Sequence, residues 1–548
     1  MRDQYDFIIV GAGSAGCVLA NRLSEDLAHH VLLIEAGGSD GHLYVKMPAA
    51  FSLPMGNPRF DWCFEAEAEP HLAGRRLACP RGRLLGGSSS INGMVWIRGN
   101  PGDFDRWQAM GARDWSYAHC LPYFKRAERS TSAEAEDTWR GKSGPVSVTR
   151  GTQSNHLHGA FLDAACTAGH ILSKDLNGYR QEGFGALEMS VGNGIRCSAA
   201  HAYLDPARLR PNLHIMTGAT VEAIELDGQS ARGVRLRHKG RVRAVEVTKE
   251  IILTAGAIGS PHLLQLSGIG DEGVLEPCGI RCRHELAGVG KNLMDHLEIY
   301  LQQACVPGVS LNRQLSVFGK AMIGLEWLAT RRGAGATNHF ETGGFIRSSD
   351  TVLWPDIQFH FLPAAVSYDG SRAARKDGFQ VHIGPMLSPS RGSVSLQSSD
   401  PATPPRIRFN YMAHREDWQV FRSAIRKARE IFAQPPLAHL RREEIAPGLL
   451  ADSDAALDTF VSKNAESAYH PCGTCRMGES AGAVVDSACR VHGLEQLRVV
   501  DASIFPHITN GNLNAPTIMV AERAADLILG REPLPAQHVP VWPEPLRS

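Results

Sequence analysis

Residues 5–23, YDFIIVGAGSAGCVLANRL, are the stretch of sequence that decides the fold. The apolar run 5–10 predicts a buried strand, the glycine-rich run 11–16 a tight turn, and the residues that follow a helix. Residues 30–34, HVLLI, predict a second buried strand. The N-terminus therefore predicts a β-α-β unit, which implies a parallel sheet and a right-handed crossover.

The glycines of this turn predict a dinucleotide-binding site. In the pattern GxGxxG they allow a tight turn, a close approach of the backbone to a pyrophosphate, and close packing of helix on strand. The first turn of the helix offers free N–H groups to phosphates, and a carboxylate at the end of the second strand can accept hydrogen bonds from a ribose. These features do not separate FAD from NAD. The predicted contacts are Gly11, Gly13, Ser14, Ala15, Gly16 and Glu35.

Composition and charge exclude some classes of protein. The chain has 548 residues, and because a single core stops growing near about 250–300 residues, two joined domains are predicted. Its 57 basic residues balance its 57 acidic residues. This balance argues against nucleic-acid binding, since such proteins carry a basic surplus. No cluster of cysteines and histidines predicts a metal site.

The cysteines and the apolar runs predict a cytoplasmic protein that is not secreted. Twelve cysteines are scattered without a regular framework, as in reduced cytosolic proteins. A signal peptide over 7–20 is the alternative, but Asp3 and Asp6 spoil its basic region. Residues 251–270 lack charged side chains, yet Pro261 and four glycines make them poor for a lipid-facing helix. Peripheral association with the inner membrane stays open.

Sequence patterns typical of a nucleotide-binding domain occur near both ends of the chain, and the segment between them has a different pattern of apolar and polar residues. Residues 497–500 read as a buried strand, and a helix is predicted over about 516–529. Between about 305 and 462, alternating segments such as 356–361 and 392–396 predict an antiparallel sheet. This order implies domains that are discontinuous in sequence.

Two longer segments resemble the signature motifs of the glucose–methanol–choline (GMC) oxidoreductases. Residues 82–92, GRLLGGSSSIN, continuing to Trp96 and Gly99, are similar to the first motif, and residues 256–270, GAIGSPHLLQLSGIG, to the second. The resemblance implies FAD rather than a nicotinamide cofactor. Some relatives tether FAD covalently through a histidine in the first motif, but Ile91 stands at the aligned position here, so non-covalent FAD is expected.

With this resemblance the expected fold class is α/β. It comprises a Rossmann-like FAD-binding domain and a discontinuous α+β substrate-binding domain built on an antiparallel sheet. The expected FAD-binding segments are 1–155, 195–304 and 463–548, and the substrate-binding segments are 156–194 and 305–462. The small residues of the first motif expose N–H groups and hydroxyls to the pyrophosphate and the isoalloxazine edge. The resemblance adds as cofactor contacts Arg83, Gly86, Gly87, Ser88, Asn92, Gly93, Met94, Val95, Val221, Asp501, Ala502, Asn512, Ala515, Pro516 and Thr517.

Within the family, further stretches resemble the bacterial choline dehydrogenases. They are residues 115–117, 121–124, 175–179, 182–185, 338–341, 343–347 and 470–475. This resemblance implies oxidation of choline to betaine aldehyde, in glycine betaine biosynthesis, by hydride transfer to flavin N5. Electrons are then expected to pass to a quinone or the respiratory chain rather than to oxygen.

Oxidising an alcohol removes a hydroxyl proton and a hydride from the same carbon, so a base is needed beside the flavin. By the resemblance His470 is that base, and Asn512 donates its amide to the developing alkoxide. A quaternary ammonium group calls for aromatic faces and one carboxylate, and His360 is expected near the hydroxyl end. The resemblance assigns these substrate contacts to Glu298, Trp62, Phe340, Tyr469 and His360.

Each assignment has a structural alternative. His470 is one of 23 histidines and could be a hydrogen-bonded core residue, Glu298 could form a surface ion pair, and the aromatic residues could pack a core. Cys472 and Cys475 have the spacing of a redox dithiol without the surrounding thioredoxin pattern, so a structural role is predicted. Rival functions are a dehydrogenase or oxidase of uncharged aliphatic or aromatic primary alcohols, a flavin-containing hydroxynitrile lyase, and a flavoprotein partner with a decayed site.

Overall fold

The N-terminal β-α-β unit is part of a seven-stranded sheet in the computed structural model, which describes residues 2–367 and 376–543. Gln4–Val10 and Val31–Glu35 are strands that pair in parallel, and the helix Ser14–Leu23 connects them. The apolar residues of both strands are buried, so the N-terminal prediction is confirmed. In spatial order the strands of this first sheet are Leu213–Thr217, Val31–Glu35, Gln4–Val10, Arg241–Leu253, Ser230–His238 and Ala219–Asp227, with Leu497–Val499 paired to Arg241–Leu253.

A second seven-stranded sheet lies in the middle of the sequence and pairs antiparallel. It confirms the antiparallel sheet that alternation predicts, but residues 392–396 are not in it. Ser393–Ser395 instead pairs with Arg406–Arg408 in a separate two-stranded sheet. In spatial order the second sheet contains Arg441–Ala446, Leu297–Cys305, Gly378–Pro385, Ile357–Leu362, Thr342–Ile346 and Gly183–Ala186, with Glu466–Ser467 paired to Leu297–Cys305.

The strand Leu297–Cys305 crosses the expected domain boundary at residue 304, because it belongs to the second sheet. Two large apolar cores are present, one around the first sheet and one around the second. The division of the chain into two domains, with the segments given above, stays a prediction.

The two ends of the chain pack together beside the first sheet. Helix Ser14–Leu23 packs against the helix Asn514–Ile528. Arg22 forms buried ion pairs with Glu522 and with Asp526, the latter at 2.9 Å. Such pairing offsets the cost of burying these charges. The other helices of nine or more residues in the described ranges are Pro101–Ala109, Tyr117–Ala127, His156–Thr167, Gly256–Leu266, Val317–Thr330, Arg415–Ala433 and Asp454–Asn464.

Neither membrane spans nor metal clusters occur in residues 2–367 and 376–543. No helix there is both long and apolar enough to cross a bilayer. No group of three or more histidine, cysteine or acidic side chains there is arranged to hold a metal ion. Cys472 and Cys475 are both buried free thiols.

Candidate active site

A cavity of about 730 Å³ lies between the two large sheets. Val10 and Val221 contribute to its wall from the first sheet, and Glu298 and His360 contribute from the second. The glycine turn and His470 also line it. The turn that is predicted to bind a dinucleotide and the residues that are predicted to act on a substrate therefore share this cavity.

The glycine turn has the open donors that a pyrophosphate requires. Helix Ser14–Leu23 begins after Gly13 without a side-chain cap, so the N–H groups of its first turn remain for a ligand. A Cβ atom at Gly16 would stand 1.9 Å from the carbonyl oxygen of Gly11, and one at Gly87 would stand 2.7 Å from Cα of Gly13. Side chains there would push turn, helix and loop apart. The residues present therefore fit the phosphates of a dinucleotide.

Glu35 presents a buried carboxyl group to the same cavity. Its oxygens accept the N–H of Ala12 at 2.9 Å and the N–H of Gly37 at 2.8 Å. Burial raises the pKa of Glu35 to about 7, against the lowering effect of these hydrogen bonds. A carboxyl group fixed at the end of the second strand fits the ribose hydroxyls of an adenine dinucleotide.

Most of the predicted cofactor contacts line the cavity, and four do not. Gly16 packs against the turn, and Gly86 has a φ of +88° and packs against Ser90. Ala515 and Pro516 are buried in the first turn of the C-terminal helix, which begins two residues before Pro516. The missing N–H of proline costs no hydrogen bond in a first turn, so the helix can begin before it. Those that line the cavity are Gly11, Gly13, Ser14, Ala15, Glu35, Arg83, Gly87, Ser88, Asn92, Gly93, Met94, Val95, Val221, Asp501, Ala502, Asn512 and Thr517.

A buried carboxylate holds the backbone of His470. The N–H of His470 donates to Oδ1 of Asp295 at 2.7 Å. Oδ2 of Asp295 accepts the hydroxyls of Ser467 and Tyr411, each at 2.5 Å. Tyr469 has a φ of +65°, a left-handed conformation that is rare for a bulky residue. These hydrogen bonds stabilise the unusual turn that directs His470 to the cavity.

The proton on His470 can be assigned from its neighbours. Nε2 of His296 lies 3.1 Å from the carbonyl oxygen of Met386, which can only accept, so Nε2 carries the ring proton. Burial lowers the pKa of His296 to about 3, so the ring is neutral and its Nδ1 is an acceptor. Nδ1 of His470, 3.0 Å away, donates to it. Nε2 of His470 is therefore unprotonated, and it accepts from Nδ2 of Asn512 at 3.2 Å.

Asn512 and His360 complete a polar group around His470. Oδ1 of Asn512 lies 3.2 Å from Nε2 of Gln358 and 3.5 Å from Nε2 of His360. The amide hydrogens of Asn512 are therefore left for His470 and the cavity. Burial lowers the pKa of His360 to about 4, so this ring is neutral near pH 7. The structure thus brings together His470, the predicted base, with Asn512 and His360, the other two polar residues of the predicted site.

Glu298 lies at the start of the strand Leu297–Cys305 and lines the same cavity. Its Oε1 is 3.3 Å from Nδ1 of His382, and the two side chains are only 12% and 8% exposed. The ring of His382 stacks on Tyr300 at 3.6 Å and meets Phe340 in a T-shaped contact at 5.0 Å. The carboxylate is therefore largely enclosed beside aromatic rings and is not part of a surface ion pair.

Trp62 and Tyr469 line the cavity in different surroundings. Trp62 is 39% exposed, with Phe64 stacked beside it at 5.7 Å and the guanidinium of Arg83 over its ring at 4.9 Å. Its ring contacts a cation of the protein, and its contact with a quaternary amine stays a prediction. Burial raises the pKa of Tyr469 above its usual range, so its phenol is neutral.

Two histidines of the cavity region, His296 and His382, are absent from the predicted set. His382 lies opposite His360 in the antiparallel pairing of two strands. In its strand, Gln380 and His382 alternate with buried Phe379 and with other apolar residues, so the polar side chains share one face. That alternation is a usable signal, because a polar face within a buried strand must meet partners or a cavity. His296 carries no comparable signal.

The chain matches one family along most of its length. The sequence profile of the GMC oxidoreductases matches residues 5–298 and 388–521. The chain is 52% identical to the oxygen-dependent choline dehydrogenase of Vibrio vulnificus, over 100% of this chain and 98% of that protein. It is 50% identical to the protein of the same name from Brucella anthropi, over 98% of each.

A solved structure extends the comparison to three dimensions. The crystal structure of pyridoxine 4-oxidase from Mesorbium loti superposes with a TM-score of 0.88 at 32% identity, covering 96% of this chain and 100% of that chain. The sequence and structure matches together confirm the resemblance carried by residues 82–92 and 256–270. The chain belongs to the GMC oxidoreductase family.

Proposed function

We propose that the protein oxidises choline to betaine aldehyde with bound FAD, in the biosynthesis of glycine betaine. The observation that carries the proposal is an unprotonated nitrogen, Nε2 of His470, in the same cavity as the largely enclosed carboxylate of Glu298. The nitrogen suits removal of an alcohol proton, and the carboxylate suits a substrate with a permanent cation. The name of the relatives at 50–52% identity supports the same substrate.

The glycine turn and the first motif would hold FAD. The pyrophosphate would bind the N–H groups after Gly13 and the loop at Gly87, and Glu35 would bind the ribose. When bound, FAD supplies the hydride acceptor. Ile91 cannot form a covalent bond to flavin, which supports non-covalent binding. Acid precipitation should then release all flavin into the supernatant, and flavin that stayed with the precipitate would contradict this.

Proton removal would be the task of His470. Its Nε2 accepts the hydroxyl proton. His296 keeps that nitrogen unprotonated, because it accepts a hydrogen bond from the N–H at Nδ1 of His470. Burial holds the pKa of His470 well below its usual range, so the base is neutral before substrate binds. Asn512 donates an amide hydrogen to the alcohol oxygen as negative charge develops there.

Recognition of choline would rest on charge and contact, because a quaternary amine makes no hydrogen bonds. Glu298 supplies the charge, and Phe340 and Tyr469 supply aromatic faces. A neutral alcohol of the same shape makes the aromatic contacts but gains no attraction from the charge of Glu298. The cavity therefore favours choline over uncharged primary alcohols.

The electron acceptor we propose is a quinone of the respiratory chain. Molecular oxygen, which the relatives' name specifies, is the competing acceptor. Turnover of choline with a soluble quinone under nitrogen should exceed aerobic turnover without quinone. Faster turnover with oxygen as sole acceptor would make the protein an oxidase.

Anaerobic mixing tests the substrate and the reaction class together. We expect choline to bleach the flavin absorbance, and its neutral isostere 3,3-dimethylbutan-1-ol to need a concentration about tenfold higher or more, since one ion pair contributes about 1.4 kcal/mol or more here. Equal bleaching would favour a dehydrogenase of uncharged alcohols. Absence of bleaching by either would contradict an alcohol-oxidising function.

A further inference from the structure

The residues behind Glu298 fix the protonation of His382. Oε1 of Gln380 accepts the backbone N–H of Val366 at 2.9 Å and the Nε2 hydrogen of Gln302 at 2.7 Å. A backbone N–H can only donate, so this contact sets which end of the Gln380 amide is oxygen. Nε2 of Gln380 then donates to Nε2 of His382 at 2.8 Å.

The single ring hydrogen of His382 must therefore lie on Nδ1, which faces Glu298. A ring that accepts at Nε2 is the neutral tautomer. We propose that His382 is a positioning residue for substrate charge: as a neutral donor it fixes the Glu298 carboxylate without cancelling its negative charge. A lysine or arginine at this place would bind the carboxylate more tightly and remove the charge that a cationic substrate requires.

Tyr300 and Phe340 hold the ring of His382 in this orientation. Tyr300 stacks on one face at 3.6 Å, and Phe340 makes a T-shaped contact at 5.0 Å. All three side chains line the cavity with Glu298. The specificity for a quaternary amine thus rests on hydrogen bonds from the backbone of Val366 through Gln380 to His382, and on the 3.3 Å contact of His382 with Glu298. This inference rests on the proposed function of the same cavity.

The test is a comparison of His382→Leu with His382→Asn, in holoenzyme, on choline and on 3,3-dimethylbutan-1-ol. The leucine variant should raise KM for choline about tenfold or more, since the N–H that faces the charge of Glu298 is lost, and raise KM for the neutral alcohol far less. The asparagine variant places an amide N–H near the position of Nδ1 and should recover most of the loss. Equal rises for both alcohols, or no rise, would overturn the role of His382. Failure of wild-type enzyme to oxidise choline would instead overturn the proposed function.

The helix Val317–Thr330 exposes most of its apolar side chains on the surface of the protein. In the helix Val317–Thr330 only Trp327 is buried, where it packs against Met47 and Ala50. The large apolar side chains of the opposite face are 49% to 90% exposed; they are Val317, Phe318, Met322, Leu325 and Leu328. A surface helix normally turns its apolar side to the core. This helix does the reverse.

The charges beside this apolar stripe are mainly basic. At about 100° per residue, Lys320 falls beyond one edge of the stripe, between the stripe and Trp327, and Arg331 and Arg332 follow the end of the helix. Glu326 lies at the other edge. The guanidinium of Arg331 lies 4.0 Å from the centroid of the Trp327 ring, at the C-terminal end of the helix. An apolar stripe with basic residues beside it is the pattern of a helix that lies in a lipid interface.

We propose that the helix Val317–Thr330 docks the protein on a bilayer that contains anionic lipids. Its 14 residues make a stripe about 21 Å long, which offers far less than the roughly 800 Å² per partner that a stable dimer needs. A second copy would also bring the same basic edge against itself. A bilayer accepts a short apolar stripe, and its anionic headgroups attract the basic edge.

Sedimentation of holoenzyme with phosphatidylcholine vesicles, with and without phosphatidylglycerol, tests the docking. Wild type should sediment with the anionic vesicles, and Leu325→Glu should lose about tenfold or more of that binding because a charge enters the apolar stripe. Leu450→Glu, at a fully exposed leucine elsewhere, is the matched control and should bind as wild type. Absence of wild-type binding, equal loss in both variants, or a dimer that Leu325→Glu dissociates would overturn the proposal. Anaerobic flavin reduction by choline, measured on the same samples, reports separately on the proposed function.

Discussion

Nδ1 of His470 stands 3.0 Å from Nδ1 of His296, so one ring must donate and the other must accept. Nε2–H of His296 donates a hydrogen bond to the carbonyl oxygen of Met386, so the proton between the two Nδ1 atoms belongs to His470. The orienting partner of the base is thus a neutral imidazole rather than a carboxylate. It selects the tautomer of His470 without adding a charge beside the hydride-transfer site.

Replacing His296 should impair the base without removing it. In His296→Leu no acceptor faces Nδ1 of His470. The tautomer of His470 with its proton on Nε2 then becomes available, and this tautomer cannot accept the alcohol proton. We therefore expect kcat to fall about 10²- to 10⁴-fold with little change in KM. His296→Asn keeps an acceptor oxygen near that position and should recover part of the rate. Steady-state kinetics on choline measure this, and a wild-type kcat in the leucine variant would contradict the assigned tautomer.

Charge at Glu298 should decide between choline and a neutral alcohol. Glu298→Gln keeps the shape but removes the charge, so KM for choline should rise about tenfold or more. KM for 3,3-dimethylbutan-1-ol should change little, because that alcohol has no cation. If both KM values move together, the residue supports the fold of the cavity and does not recognise the cation.

Packing at the glycine turn should limit FAD binding. A Cβ atom at Gly16 would stand 1.9 Å from the oxygen of Gly11, and Gly16→Ala should therefore lower flavin content and destabilise the protein by about 1–3 kcal/mol or more. Gly38→Ala is the matched control, since nothing lies within 4 Å of a Cβ atom there. Flavin absorbance per protein and the Tm report the result; equal losses in both variants would show a general effect of alanine.

A buried ionic cluster should make stability depend on acid pH. Burial alone would raise the pKa of Glu128, but the charges of Arg140 and Arg98 outweigh it and lower the pKa from 4.5 to about 2. The ionised carboxylate of Glu128 is thus more stable in the folded state than in the unfolded state. The resulting stability is present above pH 4.5 and is lost as the pH falls towards 2, on the order of 3 kcal/mol in all.

The variant Glu128→Gln isolates this contribution. It leaves two buried arginines without their shared carboxylate and should cost about 3–5 kcal/mol at pH 7. The variant should also lose the part of the acid-pH slope that belongs to residue 128. Thermal unfolding between pH 3 and 7 measures both effects, and an unchanged slope in the variant would contradict the linkage.

The local elements could be predicted from the sequence because their causes are local. The strand, glycine turn and helix within residues 5–35 can be predicted from those residues alone. The same holds for the loop formed by the small residues of 82–92. The sequence predicts that the C-terminal helix starts at about residue 516, because proline marks a first turn, whereas the helix begins at Asn514. Segment 392–396 alternates as a strand should, but alternation does not say which sheet a strand joins.

The support of the site could not be predicted, because it depends on strand pairing across long stretches of sequence. His382 meets Glu298 only because the strand Gly378–Pro385 pairs with Leu297–Cys305. The proton assignment of His470 likewise needs the carbonyl of Met386, far from it in sequence. Motifs identify the residues that touch substrate and cofactor, whereas the residues that orient them follow from tertiary contacts.

The rate of anaerobic flavin reduction by choline in His470→Ala, relative to wild type, is the decisive measurement of whether His470 is the base. We expect a fall of about 10²- to 10⁴-fold at saturating choline, with flavin content and choline affinity retained. A variant that reduces its flavin at the wild-type rate would show that the proton leaves by another route, and the assignment of His470 as the base would be wrong.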